Sequence, residues 1–385
     1  MKILYIHNDY AKPSGEETAA TAIVNLLQEH GHEVRWFRRS SAEIKGVSGK
    51  IKSFFTGLAN PAMAKALGKI LDEYQPDLVQ VQNIYPFLSP SIFKPIKKRN
   101  IPIVMRCPNY RLFCPNGLCC DMKGKVCERC FGGHEWNCIL KNCTGSRFKS
   151  LGYALRGWFA RVTKRILKNV DIFIVQTEFQ KRKFMGQSIP EEQIGILPGI
   201  MQKMEPPQVW QAGKYVTFVG RVSEEKGIYE FLESAKQHPE IPFLVAGAYD
   251  GMPGIRENAP ANVEWRGFIK GEDLRKAYLE SRMVVVPSRC YEGFPNVIVQ
   301  AMQLERPVIA VDLGASGAVV EDGITGLKFA PGNVEELSTR IKELYDDAIL
   351  CQKIGKTGRE TALKLYSRES IYEQLMQIYQ RALSR

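Results

Sequence analysis

The sequence predicts an α/β protein built from two doubly wound parallel-sheet units, and three observations carry that expectation. A length of 385 residues suits two domains of ordinary size. Short apolar runs of strand length alternate with amphipathic segments of helix length, the mark of βαβ units. The alternation then restarts after Pro198-Gly199. A composition of 44% hydrophobic and 24% charged residues is that of a globular chain. It holds no run of about 18 apolar residues, the length a spanning helix needs.

Lys2–His7 reads as a buried strand that ends in the polar Asn8-Asp9. Ala19, Ile23, Leu26 and Leu27 recur at helical spacing, and the helix stops near His30-Gly31-His32. Glu33–Phe37, Leu78–Gln82, Ile101–Arg106 and Ile172–Gln176 are the further strands of the first set. The second set opens with the strand Tyr215–Gly220 and the amphipathic helix Gly227–Gln237. Phe243–Gly247, Val263–Trp265, Met283–Val286 and Val308–Val311 follow as strands, and Val334–Tyr345 and Ile371–Leu383 close the chain as helices. The expected division is a first domain over 1–198, with a Cys-rich insertion near 107–145 and a basic helix near 146–169, and a second over 199–367.

Charge is unevenly spread. Residues 1–200 hold 30 Lys and Arg against 16 Asp and Glu, and the remaining residues hold 23 against 25. The first half therefore expects an anionic surface or ligand. Met1–His7 has no apolar h-region and no small-residue cleavage site, so a cytoplasmic protein with reduced thiols is expected.

Ligands of such sheets bind beyond the carboxyl ends of the strands, so the natural site of a two-unit chain is the cleft between its sheets. Lys12-Pro13-Ser14-Gly15-Glu16-Glu17 follows the first strand, where Gly15 lets backbone approach a ligand and a helix N-terminus offers free N–H groups to an anion. The second set begins Gly220-Arg221-Val222-Ser223-Glu224-Glu225-Lys226-Gly227. Arg221 and Lys226, five residues apart around a tight turn, suit a diphosphate. The most informative stretch runs from Pro287 to Met302, an apolar strand leading through Glu292-Gly293-Phe294-Pro295-Asn296 into a helix that carries Gln300. Pro295 suits a first helical turn, and free N–H groups are expected at Gly293 and Phe294.

These motifs, with His30-Gly31-His32-Glu33-Val34 and Val319–Leu327, resemble retaining glycosyltransferases of family 4 over nearly the whole chain. The resemblance implies the GT-B fold: two Rossmann-like doubly wound domains facing across a cleft, with the C-terminal helix of 368–385 returning to the first domain. It also implies an enzyme of the hexosyltransferase class that moves a sugar from a UDP- or GDP-linked donor to a glycan or lipid-linked acceptor, in cell-surface polysaccharide synthesis, with no cofactor required for catalysis. Glu292 would contact donor hydroxyls, Arg221 and Lys226 would neutralise the departing diphosphate, and Gly15, Gly220 and Gly293–Asn296 would lie along the sugar and diphosphate. The family pattern there is Glu, seven residues, Glu, and the second carboxylate meets the ribose; here it is Gln300, which keeps one acceptor oxygen and loses the charge. The first domain lacks the His residues common in relatives, and Glu16, Asn109 and Arg111 are the acceptor-side candidates. These departures motivate a second reading, a degenerate member that binds a nucleotide sugar or a partner transferase without turnover.

Seven of the ten cysteines fall between Cys114 and Cys143. In a reducing compartment this density favours a metal, and a structural zinc on Cys127, Cys130, Cys138 and Cys143, with Cys114 as a further candidate, is the expected use. An iron–sulfur cluster, free thiols and disulfides are the alternatives. Residues 141–168 then hold eight Lys and Arg and no acid, while Phe148, Leu151, Leu155, Trp158, Phe159, Val162 and Ile166 recur at helical spacing. This reads as an interfacial helix for the inner, anionic face of a membrane. A core-packed helix with a solvated basic face would show the same apolar stripe. No motif that reads nucleic acid accompanies the cluster or the helix, so no nucleic-acid partner is expected.

Overall fold

A computed structural model describes residues 1–11, 15–122 and 124–385. The chain forms two compact units, one of residues 1–118, 128–200 and 368–385, the other of 119–127 and 201–367. Among the described residues no helix is long and apolar enough to cross a membrane.

The first unit holds a six-stranded sheet of β1 (Lys2–Asp9), β2 (Glu33–Ser40), β3 (Leu78–Val81), β4 (Ile103–Arg106), β5 (Ile172–Val175) and β6 (Ile194–Ile196). The order is β2-β1-β3-β4-β5-β6, and every pairing is parallel. β3, β4 and β5 are buried along their whole length, as strands covered on both faces must be. The first crossover is the helix Gly15–Glu29, which carries Glu16 and Glu17 in its first turn where the helix dipole favours them. The C-terminal helix Arg368–Leu383 lays Ile371, Leu375 and Tyr379 on a core shared with Ile3, Tyr5, Leu78 and Ile174. It is tied there by the Tyr379 hydroxyl on the Gln80 side chain and by the Tyr372 hydroxyl, 2.9 Å from His32 Nε2.

The second unit repeats the plan with β7 (Tyr215–Val219), β8 (Phe243–Ala246), β9 (Val263–Gly267), β10 (Ser281–Val286), β11 (Val308–Val311) and β12 (Leu327–Phe329), ordered β12-β11-β10-β7-β8-β9. Phe218, Phe231 and Phe243 pack in one core of this unit, and Tyr278, Ile298 and Met302 in another. β6 and β12 are three residues each, too short to stand out in the sequence.

Two expectations change. The basic helix spans Arg147–Val162, not about 146–169, because Lys164 takes a left-handed φ of 51° and the chain turns. Its buried residues are Ser150, Gly152, Ala154 and Ala160, while Phe148, Leu151, Trp158 and Val162 are exposed and Ile166 is buried. The Cys-rich insertion is divided: residues 119–127 group with the second unit, where Cys120 is disulfide-bonded to Cys290 and Cys290 Sγ lies 3.5 Å from the Gly124 carbonyl. Lys12, Pro13 and Ser14 of the expected first turn lie outside the described residues.

Candidate active site

In the second unit, β7 delivers Gly220 and Arg221, and Glu224–Lys226 forms a single 3-10 turn that ends at Gly227. Gly227 has φ +78°, and a Cβ there would lie 1.9 Å from the Pro287 carbonyl oxygen. Only glycine permits this approach, which sets the Lys226 turn against the loop leaving β10. Pro295 stands at the N-cap of the helix Asn296–Gln303, one position before the expected first turn.

The two segments meet at Glu292. Lys226 Nζ donates to both of its carboxylate oxygens, at 2.6 and 2.8 Å, and Ser288 Oγ donates to Oε1 at 2.6 Å. Burial opposes ionisation of this carboxyl, but the Lys226 charge, the hydrogen bonds from Lys226 and Ser288, and Arg221 outweigh it and hold its pKa below the ordinary carboxylate value. Glu292 is therefore a fixed, mostly buried acceptor with one side committed to a cation. Arg221 takes a different place from Lys226: its side chain is 66% exposed and donates to Glu225 Oε1 at 2.7 Å. Beside it lies a shallow cavity of about 430 Å³, lined by Arg221, Ser223, Glu224, Glu225, Asp250 and Met252.

Phe294 is buried against Tyr366, ring edge to face, and Asn296 is exposed. Gln300 Oε1 accepts from the hydroxyl of the fully buried Tyr278 at 2.9 Å. The oxygen expected to meet a ribose thus already has a partner within the unit.

Gly15, Glu16, Asn109 and Arg111 belong to the first unit. Gly15 opens its helix with open space where a Cβ would stand. Tyr10 joins two of the others: its hydroxyl donates to Glu16 Oε2 at 2.7 Å and accepts from Arg111 Nη1 at 2.7 Å. Asn109 Oδ1 accepts from the Arg111 backbone N–H at 3.0 Å and shapes the turn. Glu16, Asn109 and Arg111 line a cavity of about 550 Å³ with Arg106 and Arg156.

The cysteines expected to hold a metal fall in both units. Cys138 is hydrogen-bonded to Cys143 and lies within electrostatic reach of Cys130 and Cys114. Cys127 falls in the 119–127 segment, where its N–H donates to the Cys119 carbonyl at 2.8 Å. Sequence reasoning missed Ser288, which stands four residues before Glu292 in the same loop, as well as Tyr10, Arg106 and Arg156.

Residues 213–347 match the family model described as Glycosyl transferases group 1. That stretch is similar to a group 1 glycosyltransferase domain. It contains Arg221, Lys226, Glu292 and Gln300. The chain is 28% identical to an alpha-D-kanosaminyltransferase from Streptomyces kanamyceticus, over 43% of this chain and 45% of the relative. It is 27% identical to a poly(ribitol-phosphate) alpha-N-acetylglucosaminyltransferase from Staphylococcus aureus, over 58% of this chain and 47% of that one. It spans about half the length of these curated relatives. In fold, it resembles a sucrose-phosphate synthase from Thermosynechococcus elongatus with a TM-score of 0.72 at 19% identity, covering 100% of this chain and 99% of the other. Two parallel six-stranded units, with the C-terminal helix rejoining the first, are the GT-B class of fold.

Proposed function

We propose that the chain is a retaining glycosyltransferase that moves a sugar from a UDP- or GDP-linked donor to a glycan or lipid-linked acceptor in cell-surface polysaccharide synthesis. The observation that carries this reading is the ionised Glu292 gripped by Lys226 and Ser288 within the stretch that matches the group 1 family model. Glu292 has lone pairs left to accept from sugar hydroxyls. Lys226 has three N–H donors, of which two are used on Glu292, so one remains for a phosphate oxygen. Arg221, exposed and paired only at the surface with Glu225, can turn to the same diphosphate. In the reaction the bond from the anomeric carbon to the diphosphate oxygen breaks while the acceptor oxygen bonds to that carbon from the same face. The acceptor proton passes to the departing diphosphate, and the two cations stabilise the charge that develops there. Arg221→Ala should lower transfer by about 100-fold, the usual loss for one such group, with an unchanged melting temperature because the side chain is exposed. Undiminished transfer in that variant would refute the assignment.

The Tyr278–Gln300 hydrogen bond favours a second reading, a chain that binds a nucleotide sugar or partner transferase without turnover. Gln300→Glu restores the family carboxylate. If donor hydrolysis is absent in both forms while nucleotide binding persists, the chain is a binder.

The proposal extends to place. The helix Arg147–Val162 turns its small residues inward and Phe148, Leu151 and Trp158 outward, and the helix Gly46–Leu58 adds the exposed Ile51 and Phe55. With the surrounding Lys and Arg, this apolar face suits peripheral attachment to an anionic membrane surface, on the cytoplasmic side. Catalysis as drawn requires no cofactor. A structural zinc on Cys127, Cys130, Cys138 and Cys143, with Cys114 as a further candidate, suits the thiol chemistry and spacing, so elemental analysis should find one zinc per chain, lost in Cys138→Ser; zinc-free protein of native stability would exclude it.

A further inference from the structure

We infer that the cavity of the first unit seats the phosphate or diphosphate of an amphipathic acceptor on Arg106, Arg111 and Arg156. This deepens the transferase reading and rests on it for the word acceptor, though the anion seat itself does not.

Arg106 ends β4 and is 1% exposed, yet its Nε and Nη1 have no hydrogen-bond partner. Among the described residues, none of the three arginines is in an ion pair, and Glu16 is the one acid on the cavity wall. That acid is bonded to the Tyr10 hydroxyl and lies within electrostatic reach of Arg106 and Arg111, so a single carboxylate faces three guanidinium groups. Arg156 donates to the Ser53 carbonyl at 2.9 Å, and its buried Nε is left without a partner. The fold makes room for this guanidinium: a Cβ at Gly57 would lie 2.3 Å from that same Nε. Arg111 and Arg156 both lie near Tyr85, close enough to repel one another. A buried guanidinium without a counter-charge is costly, and several around one cavity are tolerated where an anion completes the set. Arg forks match phosphate oxygens in plane and spacing.

The rest of the wall defines the other end of the ligand. Ile44, Phe54, Ile84, Met105 and Phe148 are apolar, and Phe54 stacks on Phe148 with centroids 5.9 Å apart. Phe54 and Phe148 sit on the two helices whose outer faces carry Phe55 and Trp158. An apolar chain attached to the phosphate would follow that wall. About 550 Å³ suffices for a phosphate, a sugar and the first part of such a chain.

The test titrates the full chain with farnesyl diphosphate, with inorganic diphosphate and with UDP, in wild type, Arg106→Met and Arg156→Gln. Farnesyl diphosphate affinity should fall at least tenfold in both variants while UDP affinity holds. Arg106→Met should leave the melting temperature of the unliganded chain unchanged or raised, because it removes a buried charge with no ion pair and two nitrogens without hydrogen bonds. Farnesyl diphosphate binding tighter than inorganic diphosphate assigns the anion to a lipid, and equal binding assigns it to a soluble phosphorylated sugar. Undiminished binding of both diphosphates in both variants overturns the seat. If UDP fails to bind any form while the arginine dependence persists, the donor reading fails and the seat stands.

Discussion

Glu292 in the second unit and Arg106 in the first are both charges withdrawn from water, and the chain treats them oppositely. Glu292 comes with Lys226 and Ser288 already bonded to it. Arg106 makes no ion pair among the described residues, feels the Glu16 carboxylate only through space, and has no hydrogen bond on two of its three nitrogens. A paired charge is part of the folded frame and holds its geometry before any ligand arrives. An unpaired one leaves interaction energy unused, which a ligand of opposite sign can collect. On the reading proposed above, the difference separates a residue that orients a substrate from a residue that recognises one.

The paired side can be broken hardest at Gly227. Gly227→Ala sets a Cβ against the Pro287 carbonyl at a left-handed φ and should cost about 3 kcal/mol. Denaturant unfolding will read this loss, and an unchanged midpoint would mean that the Lys226 turn does not need that approach. Next is Lys226→Met, which leaves Glu292 buried without its cation. The cost should be about 2 kcal/mol at neutral pH, discounted for the 31% exposure of Lys226.

The same variant reverses a pH dependence. In the wild type Glu292 is held below its ordinary value of 4.5, so its contribution is present above that pH and is lost as pH falls through the lowered value. Without Lys226, burial prevails and the carboxyl titrates higher, so lowering the pH from 7 to 5 should recover stability in the variant and not in the wild type. Parallel pH profiles would show that Lys226 does not set this carboxylate. The smallest effect belongs to the surface of the first unit. Trp158→Asp should weaken binding to vesicles containing anionic phosphatidylglycerol a few-fold, with no change in UDP affinity. Equal vesicle binding would remove the membrane from the account of that helix.

The sheets were largely legible, because buried parallel strands are mostly apolar: Val308–Val311 is so throughout, and Leu78–Val81 is interrupted only by the buried Gln80. Ile194–Ile196 was not, since three residues around a glycine carry no period. At the site, Lys226 and Gly227 stood out through spacing around glycines and Glu292 through the family resemblance, and the structure joins Lys226 to Glu292. Arg106 was not, because an arginine at the end of an apolar strand reads as the strand's exit into solvent. Arg156 was hidden for a related reason: among seven other basic residues it reads as part of a solvated face, and only the packing of Gly57 distinguishes it. Cys120 and Cys290 stand 170 residues apart, and no local pattern joins them.

The return of the last helix has a consequence for how the molecule can be divided. Ile371, Leu375, Ile378 and Tyr379 complete the interior over β1, β3 and β5, although the whole second sheet intervenes in the chain. Removing residues 368–385 would strip the amino-terminal half of its lid of apolar side chains, the aliphatic ones each worth about 1.5–3 kcal/mol of burial. Truncation at the carboxyl end would therefore unravel the opposite end of the polypeptide first, and a gene split after residue 200 would not release two self-sufficient halves.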